Sequence, residues 1–258
     1  MALYTTFHMH NAPAGREGDY AQWFDGLHRE ALARLRAFRG ADRFELADAQ
    51  VMADIVQPWR YCSVYDFETD EPALDVPALG PLLSDARDGG LILRDGSERL
   101  FTYELYSDWV GSPNWRRDKP LSGVSVLIGN YIPGRYEEYM HWYDTVHCPE
   151  VTNVPGHVAM KRGRLSPYQV EPRSYCPGDQ LVCTATQTDN LHFTVRDFAS
   201  RSTGKSPSGI AFEPRSKAGS LARTVHYFTK ISGPKWDGGI AYAGDLGVYP
   251  DDFGRPWP

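Results

Sequence analysis

An internal repeat constrains this chain more than any other feature. Displacing the sequence by 119 positions sets "NAPAGREGDYAQWFDGLH" (11–28) over "NYIPGRYEEYMHWYDTVH" (130–147). Seven of these eighteen pairs are identical: Asn11/Asn130, Gly15/Gly134, Arg16/Arg135, Tyr20/Tyr139, Trp23/Trp142, Asp25/Asp144 and His28/His147. Phe24/Tyr143, Leu27/Val146 and Asp19/Glu138 are conservative, and a three-residue slip then aligns Gly40 with Gly156. A Trp and a His held in register over such a span mark a duplication. The fold must be one that two copies of a unit build together.

Each copy reads as strand, helix, strand, strand, helix, strand. In the first, residues 3–10 are rich in β-formers, "PAG" is a turn, and 17–38 carry a helical apolar period. Strands are expected at 42–50 and 59–67, a short helix at 76–90 and a last strand at 99–109. In the second, a strand at 124–132 precedes a helix at 135–148 and a strand at 157–165. Either "QLVCTATQT" or "LHFTVRDF", within 180–198, supplies the next strand. A weak helix within 198–219 and a strand at 222–231 complete the unit.

A βαββαβ unit packs its helices on one face of an antiparallel sheet and leaves an apolar face to be covered. Two units can bury those faces against each other. The chain is therefore expected to be α+β, with two tandem ferredoxin-like βαββαβ units forming an intramolecular α/β barrel. The units span 1–112 and 121–232, the polar "GSPNWRRDKPLSG" lies between them, and 166–179 is an insert in the second. Residues 233–258 form a Gly/Pro-rich irregular tail whose rings suit packing against the body.

The formal charge of −6 comes without a basic block, which argues against a nucleic-acid partner. No 18-residue apolar run suggests a membrane span, and the N-terminus lacks the pattern of a signal peptide. Cys62, Cys148, Cys176 and Cys183 read as reduced thiols of a cytoplasmic protein, with a Cys176–Cys183 disulfide as the alternative. Nucleotide-binding and hydrolase motifs are missing.

The stretch "EYMHWYDTVHCPE" (138–150) carries the most chemistry. On a regular helix Tyr139, Tyr143 and Val146 share one face, with Trp142 and His147 at its borders and His141 turned to water. Pro149 should end the helix near His147, leaving that imidazole at a helix C-terminus. His147 is the expected proton-exchanging group, with Tyr143 and Tyr139 as phenol donors. His28 is followed by "REALARL", without proline, and Phe24 replaces a tyrosine. The first copy thus reads as the more structural and the second as the more chemical.

His226 alternates with Thr224 and Phe228, and it would lie near His147 if it faced the helices; Thr102 or Tyr103 is its expected counterpart. His8 and His10 share one strand face, and with His28 they form a minor candidate for a metal site that only the first half could hold. The favoured reading assigns them no metal. Asn11 and Asn130 read as turn caps.

The pattern Tyr139, Trp142, Tyr143, His147, Pro149, then Pro155-Gly156, resembles the helix signature of the EthD-like branch of the dimeric α/β-barrel superfamily. The first copy keeps Tyr20, Trp23 and His28 but lacks the prolines. The resemblance implies a small-molecule cavity between helices and sheet. Relatives include cofactor-free cyclases, decarboxylases, dehydratases and oxygenases of aromatic compounds, and more distant barrels bind haem. The expectation is a cofactor-independent lyase of an aromatic small molecule. His147, Tyr143 and His226 would be catalytic, and Tyr139, Trp142, His28, Trp23, His8 and His10 would contact substrate. The alternatives are a haem-binding or cofactor-free oxygenase and a non-catalytic ligand-binding or stress protein. A homodimer is the oligomer to test.

Overall fold

The computed structural model describes residues 1–51, 57–116, 118–172, 178–214 and 216–230. Its frame is a sheet of nine antiparallel strands: β1 (Ala2–His10), β2 (Phe38–Leu46), β3 (Tyr61–Thr69), β4 (Arg99–Leu105), β5 (Val110–Gly111), β6 (Gly123–Tyr131), β7 (His157–Leu165), β8 (Gln180–Thr186) and β9 (Gly219–Lys230). Their order is β4-β1-β3-β2-β9-β6-β8-β7-β5, and β4 also pairs with β7. Eight strands thereby close into a barrel, which leaves no open edge along the ring. The closure is tight: a Cβ on Gly163 of β7 would stand 2.5 Å from the Glu104 carbonyl oxygen of β4.

Strand alternation divides the side chains between two environments. Phe7, Met9, Phe44, Cys62, Val64, Phe101, Val126, Cys183 and Phe228 point inward and fill the barrel with carbon and sulfur. The opposite faces carry the helices. Helix α1 covers the first half as an α segment Glu17–Trp23, a π-turn Phe24–His28 and an α segment Arg29–Leu32. Helix α2 (Leu79–Asp88) lies beside it. In the second half α3 repeats the pattern as Tyr136–Trp142, a π-turn Tyr143–His147 and Cys148–Thr152, accompanied by α4 (Leu191–Arg201). The turns before α1 and α3 place Gly15 and Gly134 at φ of +82° and +81°, a conformation that glycine adopts without strain.

Several expectations need correction. The 119-residue displacement holds without a slip: Phe38 and His157 open equivalent strands, as do Tyr61 and Gln180. The first helix stops at Leu32, because Phe38 already belongs to β2. "LHFTVRDF" is helical in α4, started by the Asn190 side chain accepting from the Phe193 amide, so "QLVCTAT" is the strand. Pro149 does not end α3. The wide turn before it lets Pro149 sit at the start of a new α segment, where a missing N–H costs little. Cys176, part of the insert and the tail lie outside the described residues; Cys62 and Cys183 are buried thiols. No helix among the described residues is long and apolar enough to cross a membrane.

Candidate functional site

The π-turns set the geometry of both helix–sheet seams. In an α-helix, residues five apart point in different directions; a π-turn brings them one above the other. Trp23 therefore stacks on His28 at 4.2 Å and 22°, and Trp142 on His147 at 4.4 Å and 13°. Each helix also sends a carboxylate to an arginine of the sheet, Asp25 to Arg43 at 2.6 Å and Asp144 to Arg162. Arg162 lies 4.5 Å over the Tyr143 ring, and Arg43 lies 5.4 Å over Phe24.

Under α1 the first half collects three buried histidines. His8 and His10 share the helix-facing side of β1, with ring centroids 4.5 Å apart, and His10 meets Tyr20 at 4.6 Å and Tyr61 at 5.7 Å. His28 Nε2 bonds the Tyr65 hydroxyl at 3.1 Å, and Tyr20 bonds Ser63 at 3.0 Å. His8 Nε2 bonds Glu98 at 2.6 Å. Burial chiefly, helped by the neighbouring Arg29 cation, pushes His28 down to about 3. Burial chiefly also pushes His10 well below the usual imidazole value. Both are neutral at pH 7. Among the described residues, Nδ1 of His8 and of His28 has no hydrogen-bond partner. His10 has only a loose contact with the Asn11 backbone, and neither of its ring nitrogens is well bonded. Such buried polar atoms are uncommon and demand an explanation.

The second half is built differently at the same positions. Leu127 and Gly129 replace His8 and His10, and Val182 and Thr184 replace Ser63 and Tyr65. Leu127, Val182, Tyr139 and Tyr143 join one apolar cluster. His147 is buried against Trp142, Tyr143 and Phe212, and its Nδ1 lies 3.4 Å from Glu150. The polar work passes to His157, which is fully bonded to the Val151 carbonyl at 2.9 Å and Tyr227 at 3.1 Å.

Placed residue by residue, His147, Tyr143, Tyr139 and Trp142 form one seam, and His8, His10, Trp23 and His28 the other. His226 joins neither. It lies on the barrel side of β9, between Trp59 at 5.6 Å and Phe228 at 6.3 Å, because its neighbour Tyr227 takes the helix side. Register makes Phe101 its counterpart, not Thr102 or Tyr103. His141 is exposed, as its helical angle implies. Among the described residues no group of three or more His, Cys, Asp or Glu side chains is placed to hold a metal ion.

Sequence reasoning missed Glu98, Ser63, Tyr65 and the two arginines. Arg43 and Arg162 are 119 apart and could have been found by extending the displacement without a slip. Glu98 has no such signal. An open groove of about 580 Å³ near Ser122, Gly156, Thr188 and Asn190 has neither histidine nor tyrosine in its lining.

No family model matches the chain, and no curated protein matches it significantly. Solved structures do. A candidate monooxygenase from Fusobacterium nucleatum aligns at TM-score 0.54 and 8 % identity, over 92 % of this chain and 96 % of that one. An anthrone oxidase-like protein aligns at 0.53 and 10 %, over 90 % and 92 %. A candidate monooxygenase from Lactobacillus acidophilus aligns at 0.51 and 7 %, over 90 % and 98 %. The likeness to these structures is one of fold.

Proposed function

We propose that the chain is an enzyme that removes a proton from a small aromatic molecule, in the seam between α1 and the sheet. The observation that carries this reading is a set of three buried imidazoles, each with at least one ring nitrogen that lacks a well-formed partner among the described residues, walled by Tyr20, Trp23, Tyr61 and Tyr65. Aromatic walls select flat ligands, and unpaired nitrogens fit an oxygen of the ligand or a proton in transit. Neutral His10 and His28, with the Tyr65 phenol, are suited to stabilise the oxyanion that deprotonation creates. The seam is closed, since His8 and His10 are fully buried. Binding therefore requires α1 to move outward. The second seam, around His147, Tyr143, Tyr139 and Trp142, serves as its structural twin.

The finer fold reading belongs to the same proposal: two tandem ferredoxin-like units, 1–112 and 121–232, of EthD-like descent. The strand orders β4-β1-β3-β2 and β9-β6-β8-β7 and the paired π-turns support it.

Two fates of the deprotonated substrate fit the seam. A lyase would expel a leaving group from the carbanion. A cofactor-free oxygenase would trap the carbanion with dioxygen, and loss of water from the peroxide would leave a ketone. The descriptions of the structural neighbours support the second fate as much as the resemblance supports the first. Haem ligation is the less favoured reading, because at His8 Nε2 and His28 Nε2 an iron would have to displace the bonds to Glu98 and Tyr65. The test is a panel of phenols, aromatic ketones and anthrone-type substrates, monitored for product and for oxygen uptake. Uptake equal to turnover selects oxygenation; turnover without uptake selects the lyase. No binding or turnover across the panel, with His28→Ala indistinguishable from the parent, would sink the enzyme reading. A homodimer is proposed for the same preparation, to be checked by light scattering.

A further inference from the structure

Glu98 lies just before β4 and holds the inner side of the first seam. Its Oε1 accepts from His8 Nε2 at 2.6 Å, and Arg87 donates to its two oxygens at 2.8–3.1 Å. Arg87 continues to Glu171 of the insert. Burial pushes the Glu98 carboxyl up, but hydrogen bonds from His8 and Arg87 and the charge on Arg87 outweigh it and lower the group to about 2. An ionised carboxylate accepts hydrogen bonds and cannot donate them. His8 Nε2 must then carry a proton, and in the neutral ring that leaves Nδ1 as the atom that can offer a lone pair. That Nδ1 has no partner among the described residues, and its ring lies beside His10.

We infer that Glu98 is a positioning residue that holds His8 as its Nε2–H tautomer and presents Nδ1 as the proton-accepting atom of the seam. This rests on the function proposed above and assigns its base. A carboxylate behind an imidazole fixes the tautomer and steadies the cation formed when the proton arrives. The proton moves from substrate carbon or oxygen to His8 Nδ1, and the electron pair of the broken bond stays on the substrate. Among the described residues no carboxylate bonds His10 or His28, and burial keeps them neutral, which suits hydrogen bonding better than proton abstraction.

The experiment is ¹⁵N-histidine NMR at pH 7.5 on the full chain, with His8 assigned through His8→Gln. The parent should show His8 protonated at Nε2 and bare at Nδ1. Glu98→Gln keeps an oxygen in place and should keep the tautomer, with kcat about tenfold lower. Glu98→Ala removes the acceptor, so the Nδ1–H form should rise to about half or more and kcat should fall by about 100-fold, with KM changed less than threefold. A merely structural glutamate would lower the melting temperature without moving the tautomer ratio. An Nδ1–H signal in the parent, or an unchanged ratio in Glu98→Ala, overturns the assignment. If Glu98→Ala does not fold, the parent spectrum decides alone. The tautomer is read without substrate, so an inert protein with the inferred tautomer would sink the proposed function and leave the role of Glu98 intact.

Discussion

The two helix–sheet seams share a skeleton and differ in what they enclose. Each has a π-turn, a Trp stacked on a His, and an Asp–Arg pair reaching from helix to sheet. Under α1 the sheet offers His8, His10, Ser63 and Tyr65, several of them incompletely bonded. Under α3 the sheet offers Leu127, Gly129 and Val182, and the histidine it adds, His157, is fully bonded. A helix can therefore keep the same signature while the strand beneath it decides between chemistry and packing. Unsatisfied polar groups are expensive, so a chain retains them where they act and replaces them where they do not.

The sharpest way to break this comparison is to remove one imidazole from each seam. His8→Ala should lower kcat/KM by about 100-fold to 10,000-fold, the range for loss of a general base. His147→Ala should cost less than about tenfold, through repacking of α3. Steady-state kinetics on the substrate found in the panel decides it. A larger loss at His147 would return the chemistry to the second half.

Stability should show the reverse asymmetry. Arg162 and Asp144 are 1 % and 9 % exposed, whereas Asp25, the partner of Arg43, is 31 % exposed. Asp144→Ala strands a buried guanidinium and should cost about 3–5 kcal/mol. Asp25→Ala removes one partner of the buried Arg43, but its carboxylate is partly hydrated, so it should cost less, about 1–3 kcal/mol. Urea titration of both variants at pH 7 measures the difference, and equal costs would mean that the two pairs are equally wet.

These differences were partly legible. Repetition of Trp-x4-His announced twin helices, and the period of two put His8 and His10 on one face, where the structure has them. The strand at 157–165 was bounded correctly. The π-turns were not legible, because a 3.6-residue period hides the stacking of residues five apart, and the same error made Pro149 look like a stop. The face of His226 was open because a strand hydrophobic on both sides, as Val225–Phe228 is, has no alternation to read. Glu98 was invisible because its partners, His8 and Arg87, are 90 and 11 residues away and no motif joins them.

Acid should probe the seams next. His28 is lowered to about 3 and His157 to about 4, each chiefly by burial. Below pH 6.5 the unfolded chain binds protons that these folded imidazoles refuse. Their contribution is therefore complete above pH 6.5 and is lost as pH falls toward the folded values, at about 1.4 kcal/mol per pH unit for each. Between pH 6.5 and 4.5, His28→Gln and His157→Gln should each flatten the fall in stability by about 2 kcal/mol. Below pH 4, only His28→Gln should continue to do so. Urea midpoints across pH 3.5–7 test this, and parallel curves for parent and variants would show that neither ring is buried neutral.

The smallest effect concerns the paired asparagines, whose expected role as turn caps becomes a strand-joining one. Asn11 donates to the Pro58 carbonyl at 2.8 Å and to Ser97 at 3.2 Å, and accepts from the Arg60 amide at 2.8 Å. Asn130 accepts from the Asp179 amide at 2.8 Å, the position 119 residues beyond Arg60. Among the described residues one bond is thus common to the halves, and the Ser97 bond ties Asn11 to the loop that carries Glu98; residue 177, which corresponds to Pro58, lies outside the described residues. A hydrogen bond at a solvated site contributes about 0.5–1.5 kcal/mol. Asn11→Ala should cost about 1–2 kcal/mol and Asn130→Ala about 0.5–1 kcal/mol in urea melts. Asn11→Ala should also loosen the Glu98 loop, seen as faster hydrogen exchange at 95–98, whereas Asn130→Ala should leave those amides unchanged. Exchange that responds equally to both would mean that the first seam does not depend on its own strand junction, and the contrast between the halves would then rest on the histidines alone.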